Sequence, residues 1–192
     1  MQAYIQIYCG NGKGKTTAAV GASIRGIGAG IPVIFAQFMK DGTSSEISVL
    51  KHLEELKKAS VLYAKEKFGF SWTLTEEEKV RAKTVYTNLF IDAVQELEKQ
   101  LQRRRKEEKS KKNDTPEVIF VLDEIISAYN YNMIDQNIVL EWLRNKPESA
   151  EVILTGRDPK PELLELAGYV TEMQQQKHIY EQGVMARKGI EW

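Results

Sequence analysis

Apolar positions along this chain follow two rhythms. Short, nearly continuous apolar runs alternate with longer stretches whose apolar residues recur every three or four positions. Tyr4, Ile5, Ile7 and Tyr8 predict a strand that ends at a glycine. The runs PVIFAQFM (32–39), EVIFVLDE (117–124) and EVILTGRD (151–158) suit strands buried on both faces. SVLYAK (60–65) and YVTEM (169–173) predict two shorter strands.

Between these lie the helical patterns. TTAAVGASIRGIG (16–28) is rich in small residues, with Gly28 and Gly30 marking its end. Residues 44–59 keep helical spacing through Ile47, Leu50, Leu53 and Leu56. Thr75 and Glu78 form a capping box that opens a long helix. Val85, Leu89, Ala93, Leu97 and Leu101 make its apolar stripe. Residues 134–147 predict a helix stopped by Pro147, and PELLELA (161–167) one with proline near its first position. The tail from Lys177 reads as irregular and polar, with scattered aromatics. Alternation of this kind predicts an α/β fold, a mostly parallel sheet with helices on both faces. Its ligand belongs beyond the carboxyl ends of the strands.

Composition narrows this little. The chain has 192 residues, enough for one ordinary domain, and no internal repeat or boundary divides residues 1–192. Its 27 basic and 27 acidic residues balance, so no global field argues for nucleic acid or an anionic membrane as partner. The charged segment 103–116 reads as a solvated helix end and loop. One cysteine, Cys9, excludes an internal disulfide and fits a reducing compartment; it reads as a small packing residue. With no signal peptide and no apolar run of membrane-spanning length, the expectation is a cytoplasmic protein.

The candidate chemistry lies between the first strand and the first helix. Gly10, Asn11, Gly12, Lys13, Gly14, Lys15, Thr16 and Thr17 crowd three glycines, two lysines and two threonines into one loop. The glycines let the backbone turn sharply and bring its N–H groups together into an anion nest. The helix that follows adds its positive end, Lys15 a full charge, and Thr16 a hydroxyl suited to magnesium. This is a phosphate-binding loop, although Cys9 stands where the usual pattern has its first glycine. The fold expected is therefore of the P-loop NTPase, RecA-like kind. Such a loop needs an acidic partner for magnesium at the end of a buried strand, which Asp123 and Glu124 supply, one binding directly and the other through water. Arg157 closes another buried strand on the ligand side, placed to hold phosphate oxygens. Asn11 is expected to contact phosphate or ribose. Phosphate loops serve many reactions, so this one does not name its chemistry.

Six blocks go further: GNGKGKTTAAVG (10–21), FAQFMK (35–40), GFSW (69–72), VLDE (121–124), VILTGRD (152–158), and KH with GVMARKGIEW near the end. In this order, nearly end to end, they resemble the CobA/BtuR family of ATP:corrinoid adenosyltransferases. The resemblance implies one adenosyltransferase domain over residues 1–192, with 103–116 as a charged insertion. It implies ATP, Mg2+ and a cobalamin or other corrinoid as ligands, and transfer of the 5′-deoxyadenosyl group to reduced cobalt with release of triphosphate, in adenosylcobalamin biosynthesis or salvage. It implies Lys15 and Arg157 at the triphosphate. Phe70 and Trp72 of the GFSW block would close the lower face of the corrinoid and keep an axial ligand off cobalt. Lys177 and His178 match the family's KH pair near the site. A flavodoxin or flavin reductase as electron donor and a homodimer follow from the same resemblance. The rivals are a phosphotransferase or NTPase, which would yield ADP or phosphate, and a non-catalytic corrinoid or nucleotide sensor.

Overall fold

A computed structural model describes residues 2–69, 73–107 and 115–191. Six strands form one sheet: β1 (Ile5–Cys9), β2 (Val33–Gln37), β3 (Ala59–Tyr63), β4 (Val118–Asp123), β5 (Ala150–Thr155) and β6 (Tyr169–Glu172). Their order is β3-β2-β4-β5-β1-β6, and every described pair is parallel. The parallel register brings the carboxyl ends of β1, β2, β4 and β5 to one edge: Gln37 lies opposite Asp123, and Tyr8 opposite Thr155.

Side-chain alternation splits the core into two layers. Val33, Phe35, Ile119, Val121 and Ile153 face α1 (Lys15–Gly28) and α2 (Ser45–Glu55). Ile34, Ala36, Phe120, Leu122 and Val152 face α3 (Glu76–Glu107), α4 (Ile125–Asn130), α5 (Gln136–Arg144) and α6 (Pro161–Leu164). β2 and β4 are buried at every position, as their unbroken apolar runs predicted.

Capping explains where the helices start. Thr75 N–H donates to Glu78 Oε2 (2.8 Å) and Glu78 N–H to Thr75 Oγ1 (3.2 Å), the reciprocal box expected ahead of α3. Ala93, Leu97 and Leu101 of its stripe are buried. α5 starts at Asp135, whose Oδ1 accepts from the N–H groups of Asn137 and Ile138. α2 ends at Glu55, one residue before Leu56, which is exposed rather than part of the buried stripe. The pattern did not predict α4, a single short helix packed directly behind Asp123. Its four buried residues, Ile125, Ile126, Ala128 and Tyr129, continue the apolar run of β4 and mask the change of period.

Candidate active site

The phosphate loop is held open by the strand beside it. Gly10 has φ +102°, and a Cβ there would lie 2.4 Å from the Met173 carbonyl oxygen. Only glycine fits, because Met173 N–H donates to Cys9 O (2.8 Å) and Gly12 N–H to Met173 O (2.7 Å), clamping the loop to the end of β6. Gly14, at φ +116°, turns the chain into α1.

Lys15 folds over this loop. Its Nζ donates to the carbonyl oxygens of Gly10 (2.8 Å) and Gly12 (2.9 Å). Burial pulls its pKa down; Glu124 opposes the shift and nearby Arg157 reinforces it. The ammonium is thus pre-positioned and under-compensated, ready for an anion.

Behind the loop stands Asp123, fully buried at the end of β4. Its Oδ1 accepts from Thr16 Oγ1 (2.9 Å) and Thr155 Oγ1 (2.7 Å). Its Oδ2 accepts from Gln37 Nε2 (3.1 Å) and Lys40 Nζ (3.3 Å). A buried carboxylate with four donors is costly to disturb. Asp123 therefore orients Thr16, whereas its neighbour Glu124 lines the open cavity. Glu124 adopts a left-handed conformation (φ 61°), with its N–H on Thr155 Oγ1 and its carboxylate accepting from Ser127 Oγ (2.7 Å). Met39 and Asp158, just past β2 and β5, are also left-handed at φ 60° and 49°. Three such non-glycine residues on one edge cost about 1–3 kcal/mol each, and strain of this kind collects at functional sites.

These groups surround a cavity of about 280 Å³. One wall is the loop from Asn11 to Thr17, together with Lys40, Glu124 and Arg157. The other is the C-terminal tail, including His178, Tyr180 and Met185. Thr16 and Glu124 bring hard oxygen donors to the same cavity as the anion nest. That donor set fits magnesium, which takes one or two protein oxygens and completes its shell with phosphate and water.

Most residues singled out in the sequence meet here: the whole loop, Glu124, Arg157 and His178, with Asp123 directly behind. Asn11 lines the same cavity and also makes a contact of its own. Its Oδ1 accepts from Gln175 N–H (2.9 Å), so it ties the tail to the loop. Phe70 and Trp72 lie outside the described residues. Cys9 is buried, and burial followed by the charge of Glu172 pushes its thiol pKa up, which makes it a poor nucleophile. The sequence reading assigned no site role to Lys40, Gln37 or Thr155, nor to the tail wall beyond its KH pair. The first three stand at strand carboxyl ends, the signal that could have found them. In Lys40, burial alone would lower the pKa, but Asp123, Glu46 and Glu124 outweigh it and raise it, so this ammonium stays charged.

Fold and site together define a parallel α/β protein of the P-loop NTPase-like class, with a glycine-rich loop at the carboxyl edge of its sheet. Two solved structures support the fold alone: the ATPase 2 and 3 segment of EssC from Geobacillus thermodenitrificans (TM-score 0.51) and the cytoplasmic domain of EssC (0.52), each 16% identical. Each match covers 97% of this chain but only 35% of the larger protein. Sequence relatives are more specific. A corrinoid adenosyltransferase from Sinorhizobium sp. is 33% identical over 191 residues, covering 98% of this chain and 79% of the relative. The corrinoid adenosyltransferase of Escherichia coli K12 is 31% identical, covering 98% and 85%. The family model described as ATP:corrinoid adenosyltransferase BtuR/CobO/CobP matches residues 1–192, and the chain belongs to that family of transferases.

Proposed function

We propose that this enzyme transfers the 5′-deoxyadenosyl group of ATP to the cobalt of a reduced corrinoid and releases triphosphate, as part of adenosylcobalamin biosynthesis or salvage. The observation that carries the reading is the nest from Gly10 to Thr17, with Lys15 folded over it, facing a cavity shared with Glu124 and Arg157 in a chain of this family.

The phosphate loop then holds a leaving group. The electron pair of +1 cobalt forms the bond to C5′, the C5′–O bond breaks, and its pair departs with triphosphate. Charge develops on the oxygen that leaves. Lys15 exchanges the carbonyls of Gly10 and Gly12 for phosphate oxygens, and Arg157 holds others. Thr16 and Glu124 would hold magnesium, which neutralises triphosphate charge when bound. Asp123 fixes the Thr16 hydroxyl for that purpose. Lys40 balances the charge of Asp123 and Glu46, with Nζ 3.3 Å and 3.6 Å from their carboxylate oxygens.

Phe70 and Trp72 take the role that the family resemblance gives them, an apolar wall that denies cobalt a lower ligand. Removing that ligand eases reduction to the +1 state. An electron donor of the flavodoxin or flavin reductase class, a homodimer and a cytoplasmic setting belong to the same reading. Among the described residues no helix is long and apolar enough to cross a membrane.

The test is phosphorus NMR of the protein with ATP, magnesium and chemically reduced cobalamin, alongside the light-sensitive absorbance of the cobalt–carbon product. Triphosphate in step with that product is expected; stoichiometric ADP would make the protein a phosphotransferase. Phe70→Ala and Trp72→Ala are expected to slow turnover from +2 corrinoid far more than from pre-reduced +1 corrinoid. Equal losses in both assays would reduce these aromatics to packing residues.

A further inference from the structure

The tail beyond β6 crosses the mouth of the loop with its apolar side chains uncovered. Tyr180 is 65% exposed, Met185 72%, Val184 40% and Ile179 38%. All four line the cavity opposite the phosphate loop. The cavity is thus divided in kind, with charge and N–H donors on one side and bare apolar surface on the other. This wall is built rather than incidental. Ile179–Gln182 form a 3-10 turn, in which His178 Nδ1 accepts from Tyr180 N–H (3.2 Å) and Gly183 closes the turn at φ 78°. The wall is tied to the loop at both ends: Gln175 N–H bonds Asn11 Oδ1 (2.9 Å), and Lys13 pairs with Glu191 (3.6 Å). Two polar side chains of the loop therefore hold the wall at a fixed distance from the nest.

We propose that residues 179–185 are the nucleoside-binding wall, on which Tyr180 and Met185 receive the base and sugar of the nucleotide whose phosphates occupy the loop. This rests on the reading of the loop as the seat of a nucleoside triphosphate. With the phosphates in the nest, the nucleoside must lie within their reach in the same cavity, and the tail supplies its apolar surface. At about 280 Å³ the space is near the lower bound of small-ligand sites. A flat ring against tyrosine also supplies stacking, which is tolerant of base identity.

The experiment is calorimetric titration of wild type, Tyr180→Ala, Met185→Ala and Tyr180→Phe, each with Mg–ATP and with magnesium inorganic tripolyphosphate. The two alanine variants are expected to bind ATP tenfold or more weakly, with tripolyphosphate unchanged. Tyr180→Phe keeps the ring and should bind ATP like wild type. These side chains are exposed, so the variants fold. Equal weakening toward both ligands would mean the tail only shapes the loop and would overturn the proposal. So would unchanged ATP affinity, including the case where cobalamin binding is lost instead. If wild type binds neither ATP nor tripolyphosphate, the nucleotide reading itself has failed, and the proposal with it.

Discussion

A single glycine shows how narrow the tolerance is at the residue scale. Gly10 combines a φ of +102° with a neighbour 2.4 Å from any added Cβ, and that neighbour is the backbone carbonyl of Met173. The left-handed conformation alone costs an L-residue about 1–2 kcal/mol. The clash adds to it, because β6 must move before alanine fits. Gly10→Ala is expected to lower the melting temperature by several degrees and to weaken ATP binding at the same time, which thermal unfolding and titration of the same preparation would read. An unchanged melting temperature would mean the clamp between loop and β6 is slack. The loop residues and Asp123 were legible because their chemistry is local: a glycine run before a helix, and a carboxylate closing an apolar strand. Three of the four partners of Asp123 were not: Gln37, Lys40 and Thr155 come from different segments, and the parallel register of β2, β4 and β5 brings them together.

At the scale of elements, the tail is the part that sequence rhythm could not reach. It has neither a 2- nor a 3.6-residue period, so it reads as irregular although its ends are anchored. Its last turn is closed by an ionic contact within the tail. Arg187 donates to Glu191 through its backbone N–H (2.9 Å), Nε (3.2 Å) and a terminal nitrogen (2.8 Å), and Lys13 adds its charge. The hydrogen bonds from Arg187 pull the Glu191 carboxyl pKa down to about 2 from 4.5. A carboxyl depressed on folding stabilises the folded arrangement above its unfolded value and loses that contribution as pH falls through its folded value. This contact within the tail should therefore be complete at neutral pH, weaken below about pH 4.5 and be gone near pH 2, and Lys13 alone carries it to the loop. Glu191→Gln removes the charge that Arg187 and Lys13 share and is expected to loosen the tail at neutral pH, seen as faster hydrogen exchange over residues 178–190 with β1 and β4 unaffected. Wild-type exchange rates in that variant would show that the tail is held by Asn11 and the β6 clamp instead.

Across the whole molecule, the buried charged side chains among the described residues, Lys15 and Asp123, both stand where the sheet ends. The parallel α/β architecture was legible because β2 and β4 are unbroken apolar runs, while α4 was not, because its apolar residues extend β4 without a break. This placement of charge makes the site a burden on the ligand-free fold. Lys15 is only 8% exposed and has its pKa lowered by burial, so the folded chain disfavours the charge it holds. Removing that charge loses two bonds to loop carbonyls but also relieves the burial. Lys15→Ala should therefore leave the ligand-free melting temperature unchanged or slightly raised. On the proposed function nucleotide is expected to reverse the balance, with its phosphates bridging loop, β4 and β5 at one edge. A ligand at a hundred times its Kd stabilises the fold by about 2.7 kcal/mol. For a chain of this size that amounts to a rise of roughly 5–10 °C. Wild type with saturating Mg–ATP is expected to show that rise, and Lys15→Ala to show little of it at the same concentration. Calorimetry of both proteins with and without nucleotide gives the four melting temperatures. A variant that melts well below wild type without ligand would make Lys15 a structural residue, and one that keeps the full ATP shift would remove it from the phosphate site.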